Sequence, residues 1–203
     1  MRFSQNTEEE VIAKYFGDTI GTFLDIGAND GIILSNTRAL ALAGWKGLCV
    51  EPGAAFEKLA ALYPSGEVCI ANVAIGTQNG KAILHDSGTH LNKGDVSLLS
   101  TIEPKEKDRW VNTNTEWTER EVAVLTYKSL LGCSPYKTFD FISIDAEGLD
   151  FAILSQIDLT DTKCVCVEHN GNGELKRAIE GYCHGFELNN ILLTNLENII
   201  IAR

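Results

Sequence analysis

The sequence is poor in several features that would each place it in a special class of protein. It has four prolines and one methionine among 203 residues, and we find no internal repeat, low-complexity stretch or Pro/Ser-rich linker. No apolar run approaches the ~20 residues of a membrane span, and the first residues, MRFSQNTEEE, lack the apolar region of a signal peptide. We therefore expect one soluble cytoplasmic domain over residues 1–203, with no membrane partner.

Basic residues are also scarce, with 17 Lys and Arg against 28 Asp and Glu and a net charge of -11. A protein that binds nucleic acid needs a basic face to neutralise phosphates. The basic residues of KEKDR (105–109) alternate with acids and form no such face. The charge thus argues against a nucleic-acid partner, although a local basic groove remains possible.

The six cysteines form no CxxC pair, and most lie in apolar runs such as GLCV, EVCIANVAI and KCVCVE. We expect buried free thiols, since cysteine in a reducing compartment behaves as a small hydrophobe. A chain of this length with 44% hydrophobic residues needs no disulfide or metal to hold its core.

Strand-like and helix-like segments alternate along the chain. The pair Thr7 and Glu10 resembles a capping box at the start of a first helix. Later segments with apolar runs or helical stripes predict strands at 22–26, 47–50, 68–75, 139–144, 164–167, 191–193 and 198–202, and helices near 36–43, 56–63, 151–157 and 175–182. Strands that are apolar on both faces, alternating with amphipathic helices, predict a doubly wound α/β fold with a mostly parallel sheet.

One segment, residues 84 to about 121, interrupts this alternation. It is polar and rich in turn residues, with Trp110 and Trp117 standing among charges. Connections longer than ~12–15 residues are uncommon in compact domains unless they are functional or mobile. We call this segment the insert; it is either a surface hairpin or a lid that recognises substrate.

A glycine-rich turn, FLDIGANDG at 23–31, follows the first predicted strand. Ligands of open α/β sheets bind at the carboxyl ends of the strands, and glycine lets the backbone approach a ligand closely. The sequence does not match the dinucleotide fingerprint G-x-G-x-x-G. When the pattern starts at Gly27, the positions of its second and third glycines are occupied by Asn29 and Ile32.

Two acidic residues lie close to the position that a ligand bound at such a turn would occupy. Asp25 precedes the first glycine by two residues, and its carboxylate suits an ammonium or a sulfonium better than a pyrophosphate. Glu51 ends the second strand, where an acid can accept hydrogen bonds from ribose hydroxyls. S-adenosylmethionine carries both cations and a ribose, and we expect it as the cofactor.

The order of motifs resembles one family in particular. The segments SQNTEEEVIAKYF, FLDIGANDGIILSNTRALALAGWKGLCVEP, NVAIG, FISIDAEGLDFAIL and VCVEHN look like the FkbM-type S-adenosylmethionine-dependent methyltransferases. The resemblance runs from Ser4 to the closing NIIIAR, and the insert is its poorest match. Substrate choice is therefore expected to depend on the insert.

The resemblance implies a Rossmann-like class I methyltransferase fold. Its sheet would have seven strands in the order 3-2-1-4-5-7-6, with the last strand antiparallel and helices on both faces. The cofactor contacts that it implies are Asp25, Gly27, Ala28, Asn29, Gly31, Asn36, Thr37, Glu51, Asn72 and Val73. Asn36 and Thr37 could instead simply start a helix.

Three residues are candidates for the base that a hydroxyl acceptor requires. Asp145 ends the fourth strand and Glu147 follows in the next turn, so either could take the proton or bind the cofactor's ammonium group. Glu147 or Asp150 could alternatively serve as a charge at a helix start. His169 follows the fifth strand and has an ordinary pKa near neutrality, although a single histidine can also be structural.

We expect no metal in the protein, but one group of residues offers a metal site as an alternative. Asp145, Glu168 and Asn170 end neighbouring strands, and this set resembles the oxygen ligands of magnesium-dependent small-molecule O-methyltransferases. A hard divalent cation prefers such ligands.

The sequence thus favours a methyltransferase that acts on a hydroxyl of a sugar, a glycan end or a small natural product. The alternatives are an NAD-type oxidoreductase, against which the failed glycine fingerprint counts, and a non-catalytic α/β binding module. Acids at 25, 51, 145 and 147 count against the binding module.

Overall fold

The predicted alternation is present in the computed structural model, which describes residues 2–64, 66–91 and 95–203. In chain order, the elements are α1 (Glu8–Phe16), β1 (Thr22–Ile26), α2 (Arg38–Leu42), β2 (Lys46–Val50), α3 (Phe56–Leu62), β3 (Val68–Ala71), β4 (Ala74–Ile75), β5 (Gly80–Ser87), β6 (Trp117–Leu125), α4 (Tyr127–Cys133), β7 (Phe141–Ile144), α5 (Asp150–Leu154), β8 (Cys164–Glu168), α6 (Gly173–His184), β9 (Asn190–Thr194) and β10 (Asn198–Ala202). A 3-10 helix, Pro104–Trp110, lies between β5 and β6.

Seven strands form a mostly parallel central sheet, as predicted, in the order β3-β2-β1-β7-β8-β10-β9. Only β10 runs antiparallel to its described neighbours, β8 and β9. When all ten strands of the described residues are numbered together, this order differs from the predicted 3-2-1-4-5-7-6. The difference arises because β4, β5 and β6 belong to a second sheet. Numbered within the central sheet alone, the strands read 3-2-1-4-5-7-6.

Side chains of the central strands alternate between two buried cores, one on each face of the sheet. In β8, Val165 and Val167 pack into one core, whereas Cys164 and Cys166 pack into the other, beside Phe16 of α1. This period of two is the geometry of a strand that is covered on both faces. The double coverage fixes the register of the strands and therefore the place where each strand ends.

All six cysteines are free. Cys49, Cys164, Cys166 and Cys183 are buried as expected, whereas Cys133 is exposed. Burial raises the pKa of the Cys183 thiol to about 12, so this sulfur stays protonated at neutral pH.

A second sheet, in the order β4-β6-β5, was not predicted as a sheet. The predicted strand 68–75 divides between the two sheets, with β3 in the central one and β4 paired to β6 in the other. The insert begins and ends inside a long antiparallel hairpin of β5 and β6, which pair from Gly80 with Val124 to Ser87 with Trp117. Residues 92–94 of the insert lie outside the described residues.

The predicted capping box of α1 is wrong, because the Thr7 side chain makes no capping hydrogen bond. The neighbouring Glu8 is fully buried instead, and its carboxylate accepts hydrogen bonds from the side-chain amides of Asn6, Asn195 and Asn198. These bonds attach α1 to the β9–β10 turn. In the described residues, no helix combines the length and apolar character that crossing a membrane requires.

Candidate active site

A cavity of about 370 Å³ opens at the carboxyl ends of the parallel strands. Its wall includes Asp25 of β1, Glu51 after β2, Asp145 after β7 and Glu168 of β8. The carboxyl ends of parallel strands meet at one edge of a sheet, where open α/β folds bind their ligands. Four acids that are far apart in the sequence therefore face one space.

The glycine turn shapes the floor of this cavity. Gly27 has φ 83°, and a Cβ there would lie 1.7 Å from the backbone oxygen of Asp145. Only glycine allows this contact between the turns after β1 and β7. Gly31 has φ 74°, but it does not line the cavity; a Cβ there would lie 2.8 Å from methyl groups of Leu59 and Leu62.

Asp25 is buried, and its Oδ2 accepts a 2.6 Å hydrogen bond from the Thr37 hydroxyl. Burial raises the pKa of Asp25 to about 6, and the hydrogen bond from Thr37 opposes that rise. Thr37 itself does not line the cavity, whereas its neighbour Asn36 does. The structure thus places Thr37 behind Asp25, where it orients the carboxylate.

Backbone N–H groups hold the Glu51 carboxylate in position. Its two carboxylate oxygens accept hydrogen bonds from the N–H groups of Asn29, at 2.9 Å, and Gly53, at 2.6 Å. Burial raises the pKa of Glu51 to about 7, against the effect of these bonds. Asn72 lies outside the cavity lining and donates to the backbone oxygen of Glu51, whereas Val73 lines the cavity. Of the remaining predicted contacts, Ala28 and Asn29 also line it.

A second group of acids lies where β7 and β8 end and α5 begins. Asp145, Asp150 and Glu168 each have one carboxylate oxygen within 4.8 Å of the others. Asp150 accepts hydrogen bonds from the backbone N–H groups of Ala146 and Gly148, at 2.8 and 3.2 Å. The Glu168 Oε2 atom is buried without a hydrogen-bond partner, whereas the Asp145 side chain is open to the cavity.

These acids raise one another's pKa. Burial and then the charge of Asp145 raise the pKa of Glu147 and of Glu168. Asp145 is open to the cavity, but the protein atoms around it desolvate its carboxylate, and this effect and the charge of Asp150 raise its pKa. Arg109 opposes the effect, with its Nη1 3.3 Å from the Glu147 Oε2 atom. The group therefore binds protons more tightly than separate carboxylates in water would.

His169 does not join the two predicted bases, Asp145 and Glu147, in the cavity lining. Its Nδ1 accepts a hydrogen bond from the backbone N–H of Gly171, and its Nε2 is buried without a partner. Burial lowers its pKa. The next residue, Asn170, lines the cavity and has φ 48°, so the turn after β8 directs Asn170 rather than His169 to the site.

The insert supplies one wall of the cavity through His90, Leu91, Ser97, Leu98, Leu99, Ser100, Ile102, Arg109 and Trp110. The Trp110 ring contacts the His90 ring edge to face, with centroids 5.2 Å apart, and the Arg109 guanidinium lies 5.2 Å from the Trp110 centroid. The Asn29 amide donates to the Val96 backbone oxygen at 2.7 Å. This bond joins the insert directly to the glycine turn.

Sequence reasoning missed two functional candidates, Arg109 and Asp150. Arg109 was considered only as part of an alternating charge run, and Asp150 only as a helix-start charge. The sequence signal for Asp150 was its place near a turn that follows a buried strand. It lies four residues after Ala146, whose backbone N–H its carboxylate binds. No local pattern indicated that Arg109 reaches Glu147, 38 residues away.

Comparison with known protein families agrees with this geometry. The family model described as "Methyltransferase FkbM domain" matches residues 25–190. That range includes the glycines of the turn, Glu51, the insert and every acid of the cavity wall except Glu197. A search of curated proteins gave no match to the chain. The match spans most of the chain, from the middle of β1 to the start of β9, and the protein therefore belongs to the FkbM methyltransferase family.

Proposed function

We propose that the protein is an S-adenosylmethionine-dependent methyltransferase that methylates a hydroxyl of a sugar, a glycan end or a small natural product. The observation that carries this proposal is the grouping of Asp25 and Glu51 beside the glycine turn, with Asp145 and Glu147 facing the same cavity. A cationic cofactor and a proton acceptor would thus share one space.

The residues around the glycine turn fit this cofactor. The missing Cβ of Gly27 allows backbone to approach closely, and the Asp25 carboxylate is suited to a positively charged group. Glu51 uses its oxygens for two N–H groups, and a carboxylate has about four acceptor positions, so two remain for ribose hydroxyls. When bound, the cofactor supplies a methyl group on a positively charged sulfur.

Asp25 argues against the NAD alternative. A dinucleotide places a pyrophosphate at the glycine turn, and here the Asp25 carboxylate would stand close to its negative charge. This carboxylate is buried, where repulsion is screened less than at a surface. The charge pattern therefore favours a cation over an anion at this turn.

Asp145 and Glu147 are the proposed proton acceptors for the hydroxyl. Both line the cavity. Desolvation and then the charge of Asp150 raise the pKa of Asp145, and burial and then the charge of Asp145 raise the pKa of Glu147, which brings both groups closer to the pH at which a general base is most effective. The protein's further task is to hold the acceptor in line with the methyl group. We assign that task to the insert wall, with Trp110 and His90 as its aromatic surfaces.

Calorimetry with S-adenosylmethionine, its demethylated product and NAD in parallel tests the proposal. We expect saturable binding of the first two and none of NAD. Glu51→Gln should weaken binding of the product about tenfold or more, since a neutral amide is a poorer acceptor for two hydroxyls. Glu116→Gln, at an exposed site, is the matched control. Binding of NAD alone would show that the protein is an oxidoreductase or a dinucleotide-binding module.

A further inference from the structure

We propose that Asp145, Asp150 and Glu168 form a binding site for one divalent hard cation of the Mg²⁺ and Mn²⁺ class. The site goes beyond the proposed function, because cation binding by these residues does not require the cofactor. The three residues come from the turn after β7, the start of α5 and the end of β8, so the fold assembles them at one point.

The spacing of the three carboxylates suits an ion. Their nearest oxygens lie within 4.8 Å of one another, so a point exists within about 2.8 Å of all three. Oxygen ligands bind Ca²⁺ at about 2.3–2.6 Å and Mg²⁺ at about 2.0–2.1 Å. Small rotations of the side chains would therefore complete the contact with either size of ion.

The Glu168 side chain provides a second, independent observation. It is 6% exposed, and its Oε2 atom has no hydrogen-bond partner. A buried carboxylate without a donor or a counter-charge is costly. A cation among the three carboxylates would give the Glu168 side chain the partner that it lacks among the described residues.

Arginine does not already take this place. Within the described residues, the ion pairs of Arg109 go to Glu106 and Glu147, at 2.8 and 3.3 Å, and no Lys or Arg pairs with Asp145, Asp150 or Glu168. Arg109 therefore makes its direct contacts with acids outside the site, and its charge acts on Asp145 and Glu168 without an ion pair.

The site is both ordered and accessible. The two backbone N–H groups that bind Asp150 hold its carboxylate in position, while the open Asp145 side chain connects the site to the cavity. Three protein oxygens leave coordination positions for water or for a hydroxyl of the acceptor. With an ion bound to Asp145, proton acceptance would fall to Glu147.

Titration with Mn²⁺, followed by electron paramagnetic resonance on the cofactor-free protein, tests the site. We expect one bound ion per chain, with affinity at least tenfold lower in Glu168→Gln and in Asp145→Asn. Asp161→Asn removes the same charge at an exposed position and should leave the affinity unchanged. The absence of saturable binding, or equal binding by Glu168→Gln and the wild type, would overturn the proposal.

Thermal unfolding gives a second readout that does not depend on the spectroscopic probe. Mg²⁺ should raise the melting temperature of the wild type but not that of Glu168→Gln. Without the ion, Glu168→Gln should melt at or above the wild-type temperature, since it removes a buried unpaired charge. If Glu168→Gln does not fold, Asp145→Asn decides the question by the same two measurements. Because no cofactor is present, the result is independent of whether S-adenosylmethionine binds.

Discussion

At the scale of single residues, the turn after β7 holds Glu147 in a backbone conformation that side chains rarely adopt. Its φ is 45°, and that of Gly148 is 106°. The turn persists because Asp150 binds the N–H groups on both sides of Glu147, and the Thr101 hydroxyl donates to the Glu147 backbone oxygen at 2.7 Å. Backbone strain of this kind collects at functional sites, where surrounding contacts maintain it.

Replacing Glu147 with glutamine should lower turnover by about 10²-fold or more, since the proposed base loses its charge. The affinities for the cofactor and for Mn²⁺ should change little, because other residues bind both. In the wild type the rate should rise with pH, since the base acts only when deprotonated, and raised pKa values place that rise above the 4.5 of an ordinary glutamate. Steady-state kinetics from pH 5 to 9 would measure both effects; wild-type turnover in the variant would exclude Glu147 as the base.

At the scale of elements, one buried acid fastens the insert to the rest of the fold. Asp86, at the end of β5, accepts hydrogen bonds from the hydroxyls of Ser97 and Ser100, at 2.6 and 2.8 Å, and from the backbone N–H of Ala54. It also pairs with Arg120 of β6. The insert wall is therefore positioned by β5 and by the segment after β2 together.

Asp86→Ala should destabilise the protein by about 2 kcal/mol or more, because it leaves buried donors without an acceptor. Hydrogen exchange should quicken in residues 95–101 but much less in β7 and β8, which belong to the central sheet. Asp108→Ala, at an exposed position of the same insert, provides the control. Equal protection of 95–101 in wild type and Asp86→Ala would show that the insert is held in another way.

At the scale of the whole molecule, the net charge of -11 is not spread evenly over the surface. Several acids are buried around one cavity, and burial raises the pKa of Asp25 to about 6, of Asp150 to about 6 and of Glu51 to about 7. Holding these carboxylates away from water therefore costs the fold stability. Such a cost is common where activity requires a polarised site.

The ligand-free protein should lose stability as pH rises from about 4.5 to about 7. In that range the unfolded chain has released protons that folded Glu51 still binds, so ionisation favours unfolding. Glu51 alone contributes on the order of 2 kcal/mol to this loss. Melting temperatures from pH 4.5 to 8 would show the slope, and Glu51→Gln, which does not titrate, should flatten it. An unchanged slope in Glu51→Gln, with Glu116→Gln as control, would contradict this account.

Much of the site was predictable because it follows from local patterns. A buried strand that ends in an acid, such as Asp25 or Asp145, predicts a carboxylate at the edge of a parallel sheet. Gly27 and Glu51 belong to the same pattern, whereas Gly31 of the same turn does not line the cavity. These inferences need only the period of the strands and the rule that parallel strands end together.

Other residues could not be placed because their contacts join distant parts of the chain. Whether His169 or Asn170 faces the cavity depends on the backbone of one turn, where Asn170 has φ 48°. The pairing of Arg109 with Glu147 and the approach of Asp150 to Glu168 depend on how the insert and α5 pack. Sequence periodicity carries no information on either.

The sequence by itself determined the mostly parallel sheet, the edge at which the cavity opens and the acids at the strand ends, since these depend on short-range periodicity and on burial. Only the tertiary structure decided that the polar insert is a wall of the cavity, that β4, β5 and β6 form a second sheet, and that three carboxylates meet beside the unpaired Glu168 oxygen. The physical reason is that those features arise from long-range packing and side-chain direction, which local residue patterns do not encode.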